Sequence, residues 1–307
     1  VSVPATTSVI DTRSGNFSYL DKKTAPSLHR NGKVLTRRDQ DGSDAKWTGV
    51  NLVPTAMPVH DARSLNGTDR RSLARNGFEL LTQAFDGSPI DFLDNDQVVS
   101  SYYPHCADIV REATGASVVM AFDHNIRSAA GKQSKQRIQG GQQVQGPAHV
   151  VHGDYTLTSA PERLRKLAEP PGSNDTWRSA SAPNDSLLDP EQVQRALSGG
   201  RFQIINLWRN IADTPVARNP MALCDGRTVQ LNDLVVFEIH YADRIGENYL
   251  AGTIERRTTR FCQFGFTLHH VLSQCVRRSD DTRQCTRSLE YRGALCSTAR
   301  LNPANHF

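Results

Sequence analysis

The sequence predicts a mainly β domain with flanking helices, arranged as a jelly roll. Short strand-like runs recur along the chain with single helices inserted between them, rather than the regular strand and helix alternation of a doubly wound sheet. No internal repeat is present. The length of 307 residues suits one compact jelly-roll domain with embellishing helices. The expected organisation is therefore a single domain over 1–307, with 1–50 as an irregular lead-in and 253–307 as an atypical basic, cysteine-containing tail.

Residues 1–50 are rich in Ser, Thr, Asp, Lys and Arg, which predicts an irregular, strand-poor segment. From Asp94 to Gly115, the residues Val98, Val99, Tyr102, Cys106, Ile109 and Val110 form a helical stripe, broken near Pro104 and stopped by Gly115. Ala116 to Phe122 predicts a buried strand at which the core begins, with the helices at 94–115 and 189–199 packed outside it. Ser128 to Gly146 carries four glycines among Gln, Ser and Lys and predicts a flexible loop, either a lid or a plain connector. After a strand at Val151–Thr156, Ser159-Ala-Pro-Glu162 opens a short helix. Asp189-Pro190-Glu191-Gln192 opens another, with an N-cap and a Pro at the first helical position, and Gly199-Gly200 ends it. Further strands are expected at 202–208, 234–241, 260–266 and 288–296. Between the last two, Leu268, Val271, Leu272, Cys275 and Val276 fall at helical spacing, predicting an amphipathic helix with His269 and His270 off its apolar face.

Composition narrows the class. A hydrophobic fraction of 37% and a mean hydropathy of −0.51 are those of a chain with polar loops, and no apolar run approaches the length of a membrane span. The start, Val1-Ser-Val-Pro-Ala5, lacks a basic-then-apolar signal pattern, so a cytoplasmic location is expected. The net charge of +4 is uneven: residues 253–307 hold nine Arg, no Lys and four acids, a local +5 that leaves −1 for residues 1–252. These arginines are scattered, without interleaved aromatics or a common helix face, so a solvated surface is expected and a nucleic-acid partner is not. Four of the six cysteines, Cys262, Cys275, Cys285 and Cys296, lie in this tail at spacings that match no zinc pattern, and free thiols are expected.

The run Val151-His152-Gly153-Asp154-Tyr155-Thr156 carries the chemistry. On an extended strand, residues i and i+2 share a face, so His152 and Asp154 aim an imidazole and a carboxylate at one point. These are two ligands of a 2-His-1-carboxylate facial triad for non-haem iron(II), although a His-x-Asp triplet alone also arises as a polar strand edge. Three side chains on one face of iron leave three positions, two for a bidentate 2-oxo acid and one for oxygen.

Nine stretches surround or contain this triplet. They are Pro58-Val-His-Asp-Ala-Arg63, Asn76-Gly-Phe-Glu-Leu80, Asp91-Phe-Leu-Asp94, Tyr102-Tyr-Pro-His105, Phe122-Asp-His-Asn-Ile-Arg127, Val151–Thr156, Ile205-Asn-Leu-Trp-Arg209, Pro220-Met-Ala-Leu-Cys-Asp225 and Tyr241-Ala-Asp-Arg-Ile-Gly-Glu-Asn-Tyr249. In order and spacing they resemble the hydroxylase/desaturase family of secondary metabolism, similar to gibberellin desaturase and the cephamycin 7-methoxylation protein. The resemblance implies a double-stranded β-helix of cupin-like kind. It also implies iron(II)- and 2-oxoglutarate-dependent hydroxylation or desaturation of a small organic molecule. A non-oxidative isomerase or cyclase, or a metabolite-binding descendant, is the alternative should the iron triad be incomplete.

The resemblance assigns further residues. Its closing strand is matched by Arg287-Ser-Leu-Glu-Tyr-Arg292, so Arg292, Arg287 and Ser288 are expected to hold 2-oxoglutarate, whose distal carboxylate suits the planar fork of an Arg. Asn206, Trp208, Arg209 and Arg127 are expected at the substrate, with Asn206 and Trp208 on one strand face and Arg209 on the other. Arg127 is alternatively an anchor for Asp123. The chain departs from the family at the third iron ligand: Ser279 to Thr286 contains no histidine. His270 or His240 is the expected substitute, with His269, His149 and His306 as further choices.

Overall fold

The computed structural model describes residues 12–38, 44–47, 51–64, 72–81, 87–182, 184–216, 219–241, 244–252, 261–263, 270–278, 289–290, 296–298 and 300–301. The strands are β1 (Thr12–Leu20), β2 (Val34–Arg38), β3 (Asp44–Trp47), β4 (Leu52–Asp61), β5 (Phe78–Leu81), β6 (His152–Gly153), β7 (Gln203–Arg209) and β8 (Met221–Cys224). They continue as β9 (Leu234–His240), β10 (Ile245–Ala251), β11 (Phe261–Gln263), β12 (His270–Arg278), β13 (Leu289–Glu290), β14 (Cys296–Thr298) and β15 (Arg300–Leu301). The α-helices are α1 (Leu73–Asn76), α2 (Asn95–Gln97), α3 (Tyr103–Thr114), α4 (Ala129–Gln133), α5 (Ser159–Lys166) and α6 (Pro190–Ser198). The chain is thus rich in sheet, with few and short helices.

Among the described residues, one sheet runs β15-β1-β4-β11-β8-β14-β6-β10-β9-β2-β3, and a second runs β13-β12-β5 with β7 also paired to β12. The first sheet is built around β9 and β10, which pair antiparallel from Ile245↔His240 to Ala251↔Leu234. Its core gathers Phe17, Tyr19, Val151, Val236 and Tyr249, each at most 1% exposed. The two-residue strand β6 lies between β10 and β14, so the His152 backbone is held in the sheet interior.

The first fifty residues correct the sequence reading. They carry β1, β2 and β3, and β1 pairs with β4 at every position from Thr12↔His60 to Leu20↔Leu52. The alternation that makes this strand is subtle: Gly15, Phe17 and Tyr19 are buried while Ser14 and Asn16 are exposed, and the polar outward residues mask the apolar inward ones. Consequently the core does not begin near residue 116. Residues 116–122 form no strand, and Val118 and Met120 are each 48% exposed. β-Branched composition supplies strand propensity there, but a strand forms only where a neighbour completes its ladder.

The helix expected over 94–115 is present in three pieces. Asp94 caps its start by accepting from the backbone N–H of Asp96 and Gln97, and Gly115 (φ 69°) closes its end in the left-handed region. It is broken near Pro104 as expected: a π-helical turn over Val98–Tyr102 lies just before the proline, whose missing N–H and ring interrupt the bonding to the turn before it. α6 forms as expected on the Asp189 cap and Pro190. The segment 268–276 is a second correction. Its described part is strand β12, which pairs with β7 from His270↔Arg209 to Arg277↔Gln203 and also with β5. Pairing on two sides overrides a nine-residue helical spacing, and β-branched Val271 and Val276 suit the strand. Among the described residues, the strand expected at 260–266 appears as β11, and that at 288–296 appears in two pieces, as β13 and as the Cys296 end of β14.

The loop expected to be flexible is packed. Ser128 caps α4 through its hydroxyl, and Ile138 and Val144 are 4% and 1% exposed. A Cβ on Gly131 would lie 2.8 Å from Val144 Cγ1 and 3.0 Å from Gln136 Oε1. Gly131→Ala is therefore expected to destabilise the protein by about 1–3 kcal/mol, as a lowered midpoint in urea, because the added methyl overpacks this turn. No helix among the described residues is long and apolar enough to cross a membrane.

Candidate metal centre

Backbone bonds on both sides fix the strand that carries the site. Val151 N–H donates to Ser18 O (3.0 Å), Ala251 N–H donates to Val151 O (3.0 Å), and His152 is in register with Leu250 of β10. His152 is 8% exposed, and its Nδ1 lies 2.8 Å from the Val150 carbonyl. A carbonyl only accepts, so Nδ1 carries a proton, and Nε2 is the ring nitrogen turned towards Asp154. That Nε2 is 3.4 Å from Asp154 Oδ1, so the two expected donors converge as the i, i+2 spacing requires.

Asp154 begins the turn that leaves the sheet. Its Oδ2 accepts a hydrogen bond from Asn206 Nδ2, across from β7. Burial pushes its carboxyl up, but the hydrogen bond and charge of His152, the Asn206 amide and the charge of Arg127 outweigh it and hold the group at about 2. Asp154 is thereby an anionic oxygen donor throughout the neutral range.

The turn beyond is locked by polar contacts. Thr156 is fully buried, and its hydroxyl donates to Glu247 Oε1 while accepting from Thr158 N–H (3.2 Å) and Ser159 N–H (3.0 Å). Leu157 N–H reaches the Tyr249 hydroxyl at 3.4 Å. Glu247 lies within the Tyr241–Tyr249 stretch, but nothing in the sequence distinguishes it from an outward strand residue.

The other expected residues divide. Asn206 joins the centre, whereas Arg209, one register step beyond Trp208, lies 5.8 Å over the Tyr102 ring. Arg127 does not anchor Asp123. Its Nη1 donates to Gly146 O at 3.0 Å, and its charge acts on Asp154. His240 is bound to Glu238 (Nε2 to Oε2, 2.8 Å). It lies five residues along β9 from Val235, the residue opposite Leu250, a separation of about 17 Å of strand. The backbone of His270 pairs with Arg209 and Leu81, and Ser273 rather than His270 stands across from Asn206. Arg287, Ser288 and Arg292 lie outside the described residues. Among the described residues, no group of three His, Cys, Asp or Glu converges as a metal site.

A second polar cluster ties α3 to the chain at His124 and Thr176. His124 Nδ1 is 2.9 Å from the Tyr103 hydroxyl, which is 2.7 Å from Thr176 Oγ1. Burial pushes the His124 imidazole down to about 4. The folded value lies below the unfolded value of roughly 6.5. Its contribution to stability is thus whole above about pH 6.5 and lost as pH falls towards 4. Melting temperatures across this window are expected to decline with acid, and His124→Gln is expected to flatten the decline.

A family model described as oxidoreductase/YMDC permease-like domain matches residues 17–283. The chain belongs to this family. A Methylophilus leisingeri protein described as uncharacterized, in the dcmA 3' region, is 44% identical over 195 residues, covering 63% of this chain and 88% of that protein. The alpha-ketoglutarate-dependent dioxygenase tstK of Talaromyces stipitatus is 28% identical over 203 residues, covering 65% of this chain. The chain spans 62% of that dioxygenase's length. In fold, the chain resembles the solved iron and alpha-ketoglutarate-dependent endoperoxidase NvfI, with a TM-score of 0.61 at 19% identity over 96% of this chain and 93% of that one. The family membership and these likenesses bear out the resemblance carried by the nine sequence stretches.

Proposed function

We propose that this family member is an iron(II)- and 2-oxoglutarate-dependent oxygenase that hydroxylates or desaturates a small organic molecule of secondary metabolism. One observation carries the reading: His152, with its Nδ1 held by the Val150 carbonyl, turns Nε2 to the ionised Asp154 at 3.4 Å. The relatives' names and the likeness to NvfI support it. On this reading the fold is a double-stranded β-helix, and residues 1–307 act as one domain in the cytoplasm.

The donor set fits iron(II) with two protein ligands in place. Imidazole nitrogen and carboxylate oxygen are the donors of a facial triad, and Asn206 orients the carboxylate as outer partners of metal ligands do. The third donor is proposed to come from the His269–His270 pair, because β12 brings that end of the chain beside β7, whereas β9 carries His240 away. Arg292 or Arg287, with Ser288, is proposed to hold the distal carboxylate of 2-oxoglutarate. Trp208, Arg209 and Arg127 are proposed to line the substrate side. When bound, iron with oxygen and the 2-oxo acid supplies oxidation of an unactivated carbon, while the protein positions that carbon and excludes competing reactions.

Anaerobic calorimetric titration with iron(II) tests this directly. One equivalent is expected to bind, with 2-oxoglutarate binding only after iron; absence of iron binding overturns the reading.

A further inference from the structure

Glu247 is 3% exposed in the middle of β10, yet it carries a carboxylate where an apolar side chain would pack at less cost. Its charge is met from one side by Arg30, whose Nε donates to Oε2 at 2.8 Å while its own side chain stays 40% exposed. From the other side, Oε1 receives the hydroxyl hydrogen of the fully buried Thr156. The Glu247 backbone carbonyl also accepts from Ser159 Oγ at 3.3 Å, and Ser159 Oγ in turn accepts from Thr156 N–H at 2.9 Å. One strand residue thus grips both ends of the turn Thr156–Ser159.

That turn begins two residues after Asp154. His152 is fixed by the sheet, and Asp154 lies just outside it, between β6 and this turn. Thr156, two residues beyond Asp154, is anchored there through its hydroxyl and its backbone N–H. We propose that Glu247 is a positioning residue: acting through the Thr156 hydroxyl, it fixes the turn that aims the Asp154 carboxylate at the point faced by His152, with Arg30 neutralising its charge. This inference rests on the iron reading and adds a residue that does not touch the metal. Direct outer-shell partners of metal ligands typically cost about 10–100-fold in affinity when removed, and Glu247, one residue further out, is expected to cost no more than the lower end of that range.

Cobalt(II) titration of the full chain, with amide hydrogen exchange of the metal-free protein, tests it. Glu247→Ala leaves the acceptors of the Leu157, Thr158 and Ser159 amides in place, so a passive turn would exchange as before; exchange at these amides is expected to rise about tenfold. Cobalt affinity is expected to fall by up to about 10-fold in both Glu247→Ala and Thr156→Val. Glu247→Gln, which keeps an acceptor for Thr156, is expected to recover most of it. Thr156→Val also removes the acceptor of the Thr158 and Ser159 amides, so Glu247→Asp, whose shorter side chain withdraws the acceptor from Thr156, carries the test should Glu247→Ala fail to fold. Unchanged cobalt affinity in a folded variant, or unchanged exchange in folded Glu247→Ala, overturns the positioning role alone. Absence of cobalt binding by the unaltered protein, with His152→Ala indistinguishable from it, overturns the metal reading and this inference with it.

Discussion

His152→Ala is expected to lower iron(II) affinity by more than about 100-fold, beyond what loss of an outer-shell partner costs. The fold should be largely retained, because the sheet bonds at this position come from its backbone and from Val151. Removal of Nε2 leaves Asp154 without the partner that faces it at 3.4 Å, and a single strong donor does not hold the metal in a facial set. Metal content after gel filtration, together with a melting curve, separates the two effects. Unchanged iron stoichiometry in a well-folded variant refutes the metal assignment.

Phe17→Ala is expected to destabilise the protein by about 3–5 kcal/mol, the cost of emptying an aromatic site in a closed core. Phe17 is 1% exposed and packs with Tyr19, Val151 and Tyr249, so the cavity would open next to the strand that carries His152. Chemical denaturation measures it. A loss below about 1 kcal/mol would instead fit a lead-in segment lying outside the core.

This second result bears on what the sequence discloses. The His152–Asp154 pairing is legible because two-residue periodicity is a local property of extended backbone, and the caps at Asp189 and Gly115 are legible because they depend on neighbours within one turn. β1 is hidden because its inward residues are few and its outward ones polar, so composition resembles a loop until β4 is alongside. The error at 116–122 is the converse: strand-forming residues without a partner. β12 is misread because nine residues fit helical and extended spacing alike, and the choice falls to β5 and β7, distant in sequence. Asn206 is legible from its motif, whereas Glu247 depends on a cross-sheet meeting with Thr156 that no local pattern encodes.

The most direct measurement is oxygen-dependent conversion of 2-oxoglutarate to succinate by the unaltered protein with added iron(II), compared with His152→Ala and with Ala variants at His269, His270, Arg287 and Arg292. Slow turnover without added substrate is expected in the unaltered protein and none in His152→Ala. Loss is also expected at one histidine of the pair and at one of the two arginines. Succinate formed equally by the unaltered protein and by His152→Ala, or no turnover and no iron affinity in either, contradicts an iron centre built on His152 and Asp154.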